Sequence, residues 1–212
     1  MKGPLPFLHA MNDHHPDTGR QTPREVLPGF YKQYHLDEDG GNASPYVKME
    51  LGKRLFLYLP NSNARRRAVF KHDVHHLLTG YSSVFKGETE IAAWEIGSGC
   101  TRYPAAFILN LYGIMIGMLF SSAGVYRAFI RGRHTCNLYR DRFTDEQLLD
   151  MPLPVIRKYL LLDRPVPKAG LGDWLVFVLV LLAGTAYAAL SLLLLPFVLL
   201  YTLYVMMKRR PT

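Results

Sequence analysis

The chain has 212 residues, 49% of them hydrophobic, and a formal net charge of +8. That length supports one domain with a real core and leaves little room for a second. The basic residues are scattered, and no stripe alternates them with aromatics, so a nucleic-acid groove is excluded.

Residues 1–45 read as loop and short helix, because Pro4, Pro6, Pro16, Pro23 and Pro28 interrupt any long periodic run. The 37–44 stretch is acidic, then glycine-rich, and reads as a turn. His9, His14, His15 and His35 fit no helical face or finger spacing and are expected to be solvated loop histidines. No apolar region follows Lys2, so no secretory leader is expected. Cys100 and Cys136 belong to no CxxC pair or Cys/His pattern; they read as buried or half-buried thiols in a reducing compartment.

Val47, Leu51, Leu55 and Leu59 recur at helical spacing and predict a helix ending at Pro60. Asn61-Ser62-Asn63 is a turn with a helix N-cap. A second helix is expected over 64–78, closed by Gly80 in a left-handed C-cap. A third is expected over 87–97, with Ile91 and Trp94 as apolar contacts. Pro104 opens a fourth, running through Phe107, Leu111, Met115 and Phe120. It is apolar almost all round, with Asn110 its only polar amide. That suits a core helix or the wall of a lipid pocket, and at about 17 residues it is marginal as a membrane span. A basic stretch over 127–133 ends at Gly132, and short helices follow at 145–149 and 154–161.

Pro165, Pro167, Gly170 and Gly172 mark 163–172 as a linker, and 174–207 is essentially free of charge. One bilayer crossing needs about 20 residues. The segment is therefore one span with an interfacial extension, or a tight helical hairpin broken at Gly184 or Pro196. Arg164 and Lys168 before it, and Lys208-Arg209-Arg210 after it, suit a hairpin with both ends cytoplasmic. Trp174, Tyr201 and Tyr204 would be interfacial anchors.

The chemistry lies in His72-Asp73-Val74-His75-His76 and in Glu88. On a helix His72 and His76 stack on one face, and Asp73 flanks that patch. His75 points elsewhere, toward solvent or the core. A short connection makes the next helix an antiparallel neighbour, and Glu88 in its first turn can face back. Two imidazoles and two carboxylates form a mixed N/O site whose charge neutralises a divalent ion. Zn²⁺ and Fe²⁺ suit such ligands better than Ca²⁺ does. If three of the four bind, a coordination position stays open. Glu90 and Glu95 are candidate acceptors behind the histidines. The plainer alternative is a helix with solvated His and Asp on its outer face.

The spacing also resembles a known family. HDxxH, eleven residues, then Glu is the signature of the ubiquinone-biosynthesis Coq-four family, here His72 to His76, then Glu88. Leu77-Leu78-Thr79-Gly80, Gly87-Glu88 leading to Trp94-Glu95, Gly132-Arg133 and Leu138-Tyr139 resemble the family's flanking words. Residues 153–160 resemble its closing helix. The resemblance covers roughly residues 68–162; residues 1–60 and the apolar tail lie outside it. It implies an all-helical fold, zinc held by His72, Asp73, His76 and Glu88, and a hydrophobic groove for a polyprenyl chain. It also implies oxidative decarboxylation, with C1 decarboxylation and hydroxylation of a polyprenylated 4-hydroxybenzoate-type intermediate.

The expected architecture is thus all-α, with the metal site between two antiparallel helices and a C-terminal transmembrane helix or helical hairpin. Its divisions are a loop-rich segment 1–45, a metal- and lipid-binding domain 46–162, a linker 163–172, a membrane segment 173–207 and a basic tail 208–212. The expected partners are the membrane, a prenylated aromatic lipid and other quinone-biosynthesis proteins; a homodimer is left open. The expected location is the inner or cytoplasmic membrane, with the soluble domain on its cytoplasmic side. The 107–120 helix would line the tail groove. Arg131 and Arg133 would neutralise an anionic head group, or be plain surface charge near a membrane. The rival functions are a non-catalytic lipid-binding scaffold and a metal-dependent lipid hydrolase.

Overall fold

A computed structural model describes residues 20–35, 44–50 and 56–208. His9, His14, His15, the 37–43 part of the glycine-rich stretch and Arg209-Arg210 lie outside these residues. The fold is mostly helical. Helix α1 spans Pro23–Tyr34, its first turn closed by the Glu25 carboxylate accepting from the Thr22 N–H at 2.9 Å. Val26, Leu27 and Phe30 face inward. Exposed His35 ends the helix in the left-handed region with φ 55°.

Where a helix was expected over 46–60, the described residues form an antiparallel strand pair, β1 Tyr46–Glu50 and β2 Phe56–Pro60, in register from Tyr46↔Pro60 to Glu50↔Phe56; Leu51 and Leu55 lie outside the described residues. The strands are rich in aromatic and branched residues, and Gly52 between them disfavours a helix. Tyr46 and Tyr58 pack edge-on at 5.2 Å across the pair. Tyr58 is buried, and its N–H donates to Thr202 Oγ1 of the last helix at 3.1 Å. That distant partner outweighs the local spacing, and the strand pair is a small addition to a mostly helical fold.

Helix α2 spans Asn63–Thr79. Ser62 caps its start by accepting from the Arg65 N–H at 3.2 Å, and Gly80 closes its end with φ 78°, both as expected. Helix α3 spans Phe85–Ser98 and ends at Gly99, φ 97°. Helix α4 spans Pro104–Arg133 but loses helical geometry at Ser121, so it is two arms joined at a bend. The bend falls where the apolar 104–120 run stops. Helix α3 packs on both arms: Ala92 and Thr89 meet Gly113 and Gly117 of the first, Glu90 and Trp94 meet Gly124 and Gly132 of the second. A Cβ on Gly132 would lie 2.3 Å from the Trp94 carbonyl oxygen, so this approach requires glycine.

A 3-10 turn at Leu138–Arg140 is followed by α5 Asp145–Asp150 and α6 Leu153–Tyr159. Trp94, Ile91, Leu78, Ile114 and Phe129 form the solvent-free core, each contributing about 1.5–3 kcal/mol by burial. The Trp94 indole N–H donates to Thr135 Oγ1 at 2.9 Å, so this large side chain buries no unmet donor.

Helix α7 runs unbroken from Leu171 to Lys208 through both Gly184 and Pro196. The hairpin alternative for the tail is therefore corrected: Gly184 is not a break but the point where the helix approaches Met115 and Leu111. The tail is also not detached from the body. Phe177 packs on Tyr126 and Phe129, Tyr187 on Tyr112, and Thr202 and Val205 are buried beside the hairpin. A 38-residue helix is about 57 Å long, against roughly 30 Å of bilayer hydrocarbon. By length and composition both α4 and α7 are apolar enough to cross a membrane.

Candidate metal centre

The site is built on the facing sides of α2 and α3. Residues 72, 75 and 76 lie within about one helical turn, so three imidazoles are presented together with two directions between them. His72 and His76 aim their Nε2 atoms at one point, 3.2 Å apart, with the rings edge to face. Glu88, in the first turn of α3, reaches the same point. Its Oε2 lies 3.4 Å from His72 Nε2 and its Oε1 3.3 Å from His76 Nε2. Ser83 donates to Glu88 Oε1 at 2.7 Å and so holds the carboxylate in place.

Both imidazoles are oriented from behind. His72 Nδ1 lies 2.9 Å from Glu95 Oε1, and His76 Nδ1 lies 2.9 Å from the Tyr81 carbonyl oxygen. These acceptors call for a proton on each Nδ1, which leaves each Nε2 with a lone pair. Two lone pairs 3.2 Å apart, beside a carboxylate, repel unless a proton or a cation lies between them. The spacing suits a metal: ligands about 2.0–2.1 Å from a tetrahedral ion sit about 3.3 Å from one another. His72, His76 and Glu88 together form a cluster able to hold a metal ion, their ligand atoms all within 4.8 Å of one another.

Asp73, expected as a fourth ligand, lies outside this cluster. Its side chain is buried, and its Oδ2 accepts from the Tyr31 hydroxyl of α1 at 2.9 Å. Burial raises its pKa, an effect opposed by the nearby His72 and by the Tyr31 hydrogen bond. The α1 segment that covers the site also packs Phe30 against the His76 ring at 5.7 Å.

His75 points to the core, with no solvent contact. It stands between Trp94 and Tyr139, each 5.0 Å away between ring centroids. Its Nδ1 lies 2.7 Å from Glu95 Oε1, and its Nε2 accepts from the Leu138 N–H at 2.9 Å. The second contact requires an unprotonated Nε2, so His75 is a neutral donor to Glu95, in keeping with burial pushing its pKa down. Glu95 is itself fully buried and also accepts from Asn110 Nδ2 at 2.6 Å. Burial would raise its pKa, but the charge and hydrogen bond of His72, and the hydrogen bond of His75, hold it well below the ordinary carboxylate range. For His72, burial works against the charged form, yet Glu95 and Glu88 raise its pKa well above 6.5. Burial likewise opposes the Glu88 charge, and the two imidazoles overcome it.

Glu90 faces α4 and pairs at 3.8 Å with Lys86, so only Glu95 of the two candidate acceptors stands behind the histidines. The two arginines are also occupied elsewhere. Arg131 donates to the Thr79 carbonyl at the end of α2 and lies over the Tyr81 ring, while Arg133 pairs with Asp173. Tyr31, Ser83 and the Tyr81 carbonyl escaped the sequence reading, because none lies at a spacing that marks a ligand. Asn110 was visible as the lone amide of an apolar helix, though its partner was not.

The site is partly open at His72 and Glu88, whose side chains are 26% and 41% exposed, whereas His76 is closed off at 1%. The arrangement offers three candidate protein ligands with supporting acceptors and a partly open side, the form of a site that leaves a position for substrate or water. Searched against family models, curated proteins and solved structures, the chain has no match in any of the three.

Proposed function

We propose that this protein is a metal-dependent enzyme of prenyl-quinone biosynthesis that acts at a membrane on a polyprenylated 4-hydroxybenzoate-type ring. The observation that carries the reading is the convergence of His72, His76 and Glu88 on one point that is open on one side. The order and spacing of these residues, in the resemblance to the Coq-four family, direct it to this chemistry. His72, His76 and Glu88 would hold a divalent ion, zinc or ferrous iron, which when bound supplies Lewis-acid stabilisation of an anionic head group. Asp73, which the resemblance adds to the ligands, accepts a hydrogen bond from Tyr31, and in this reading it anchors α1 beside the site.

In the proposed reaction the bond from ring C1 to the carboxylate breaks and carbon dioxide leaves. A hydroxyl takes its place, its proton coming from solvent. Dioxygen supplies that oxygen atom, and its second atom is reduced to water by two electrons and two protons from an external reductant. The chain's own contribution is placement: Glu95 and the Tyr81 carbonyl hold the imidazoles, and the apolar first arm of α4 offers a wall to the isoprenoid tail.

The test is elemental analysis of wild-type, His76→Ala and Glu88→Ala protein, beside turnover of a prenylated 4-hydroxybenzoate with and without oxygen. About one metal per chain, lost in both variants, with oxygen-dependent release of carbon dioxide, is the expected result. Metal without turnover would make this a non-catalytic lipid-binding scaffold, and turnover of an acyl or phospho-lipid without oxygen would make it a hydrolase.

A further inference from the structure

Beside the mouth of the metal centre, four large apolar side chains face outward. Val84 and Phe85 open α3, and Leu119 and Phe120 end the first arm of α4 at the Ser121 bend. They are 54%, 57%, 80% and 73% exposed. Phe85 and Phe120 pack edge to face at 5.5 Å, so the patch is one preformed surface and not four stray residues. Val84 is one helical turn before Glu88, whose N–H donates to the Val84 carbonyl at 2.9 Å. The patch therefore forms a rim of the site.

We propose that this patch is a wedge that enters the acyl region of a phospholipid bilayer and sets the mouth of the metal centre at the membrane surface. The occupant follows from what the patch joins. Along the first arm of α4 it continues through exposed Ile116 and Leu109. Between those two in the helical stack lies Tyr112, which contacts Tyr187 and Ser191 of α7. The outward side of α7 is apolar along its length, from Leu175 and Leu179 to Leu203 and Met207, with no charged residue over 174–207. One uncharged surface thus runs from α7 to the rim of the site. Lys86, exposed and next in sequence to Phe85, flanks the wedge, as suits a surface meeting anionic headgroups. A contiguous apolar area next to an opening marks a binding face, and here its extension onto a span-length helix assigns that face to lipid. The consequence for the reading above is that substrate reaches His72 and Glu88 from the bilayer. This route for substrate rests on the proposed function; the wedge itself does not.

The experiment places an indole at the wedge with Phe120→Trp in a Trp174→Phe background, leaving buried Trp94 as the internal reference. The full-length protein is reconstituted into vesicles of phosphatidylcholine and phosphatidylglycerol with brominated acyl chains. The expected result is blue-shifted emission from position 120, quenched by the bromines beyond the Trp94-only control and shielded from aqueous iodide. Quenching by iodide and not by bromine would overturn the wedge, and protection from both would assign the patch to a protein partner instead. Separately, Phe85→Ser, on α3 and outside the proposed tail wall, is expected to keep its metal and to raise KM for a vesicle-borne prenylated substrate, with kcat on a short-chain analogue unchanged. If no substrate turns over, the enzyme reading fails while the quenching result still decides the wedge.

Discussion

His75 donates to Glu95 across 2.7 Å in a place neither side chain shares with solvent, and the same carboxylate oxygen holds His72 at 2.9 Å. The site is therefore set from the core outward: a backbone N–H at Leu138 fixes His75, His75 helps fix Glu95, and Glu95 fixes the His72 ring.

Glu95→Gln keeps the shape but cannot accept from both imidazoles and Asn110 as a carboxylate does. Metal affinity is expected to fall about 10–100-fold, with loss of about 1–3 kcal/mol of stability from the donors left unmet. Competition with a chromophoric chelator and urea unfolding measure the two separately. Unchanged affinity in a folded variant would remove Glu95 from the support of the site.

Asp73 lies outside the cluster, so Asp73→Asn is expected to retain the full metal content, as is Tyr31→Phe. Elemental analysis decides it. Loss of the ion from Asp73→Asn alone would return that carboxylate to the ligand set.

In the metal-free protein His72 has a raised pKa because Glu95 and Glu88 face it. A group raised in the folded state stabilises fully below its unfolded value, near 6.5, and that contribution is lost as pH rises through the folded value. The opposite holds for metal binding, which must displace the His72 proton. Raising pH from 6 to 8 is thus expected to lower this part of apo stability and to tighten the ion. Thermal melts of apo and loaded protein across that range, with proton release on loading, test both signs.

At Gly132 a Cβ would meet backbone, not a side chain that can swing away. Gly132→Ala is expected to push α3 from the second arm of α4 and to destabilise by about 1–3 kcal/mol. Differential scanning calorimetry measures it, and an unchanged melting temperature would mean the two helices separate without strain.

Much of this protein was readable from residue order alone. The ends of α2 follow from Ser62 and Gly80, because a cap is a local hydrogen bond or a local backbone freedom. The start of α4 follows from Pro104, and the pairing of His72 with His76 from helical periodicity. Glu88 could be matched to them because the connection between α2 and α3 is short. What lay beyond local rules needed the tertiary structure. Residues 46–50 and 56–60 pair as strands, and Tyr58 among them bonds Thr202, far along the chain on α7. His75 turns inward because the Leu138 N–H and Glu95 meet it there, and Asp73 stands outside the three-residue cluster with its carboxylate accepting from Tyr31 of α1. A helical spacing states which side chains share a face; which partner arrives at that face is decided by the packing of elements distant in sequence.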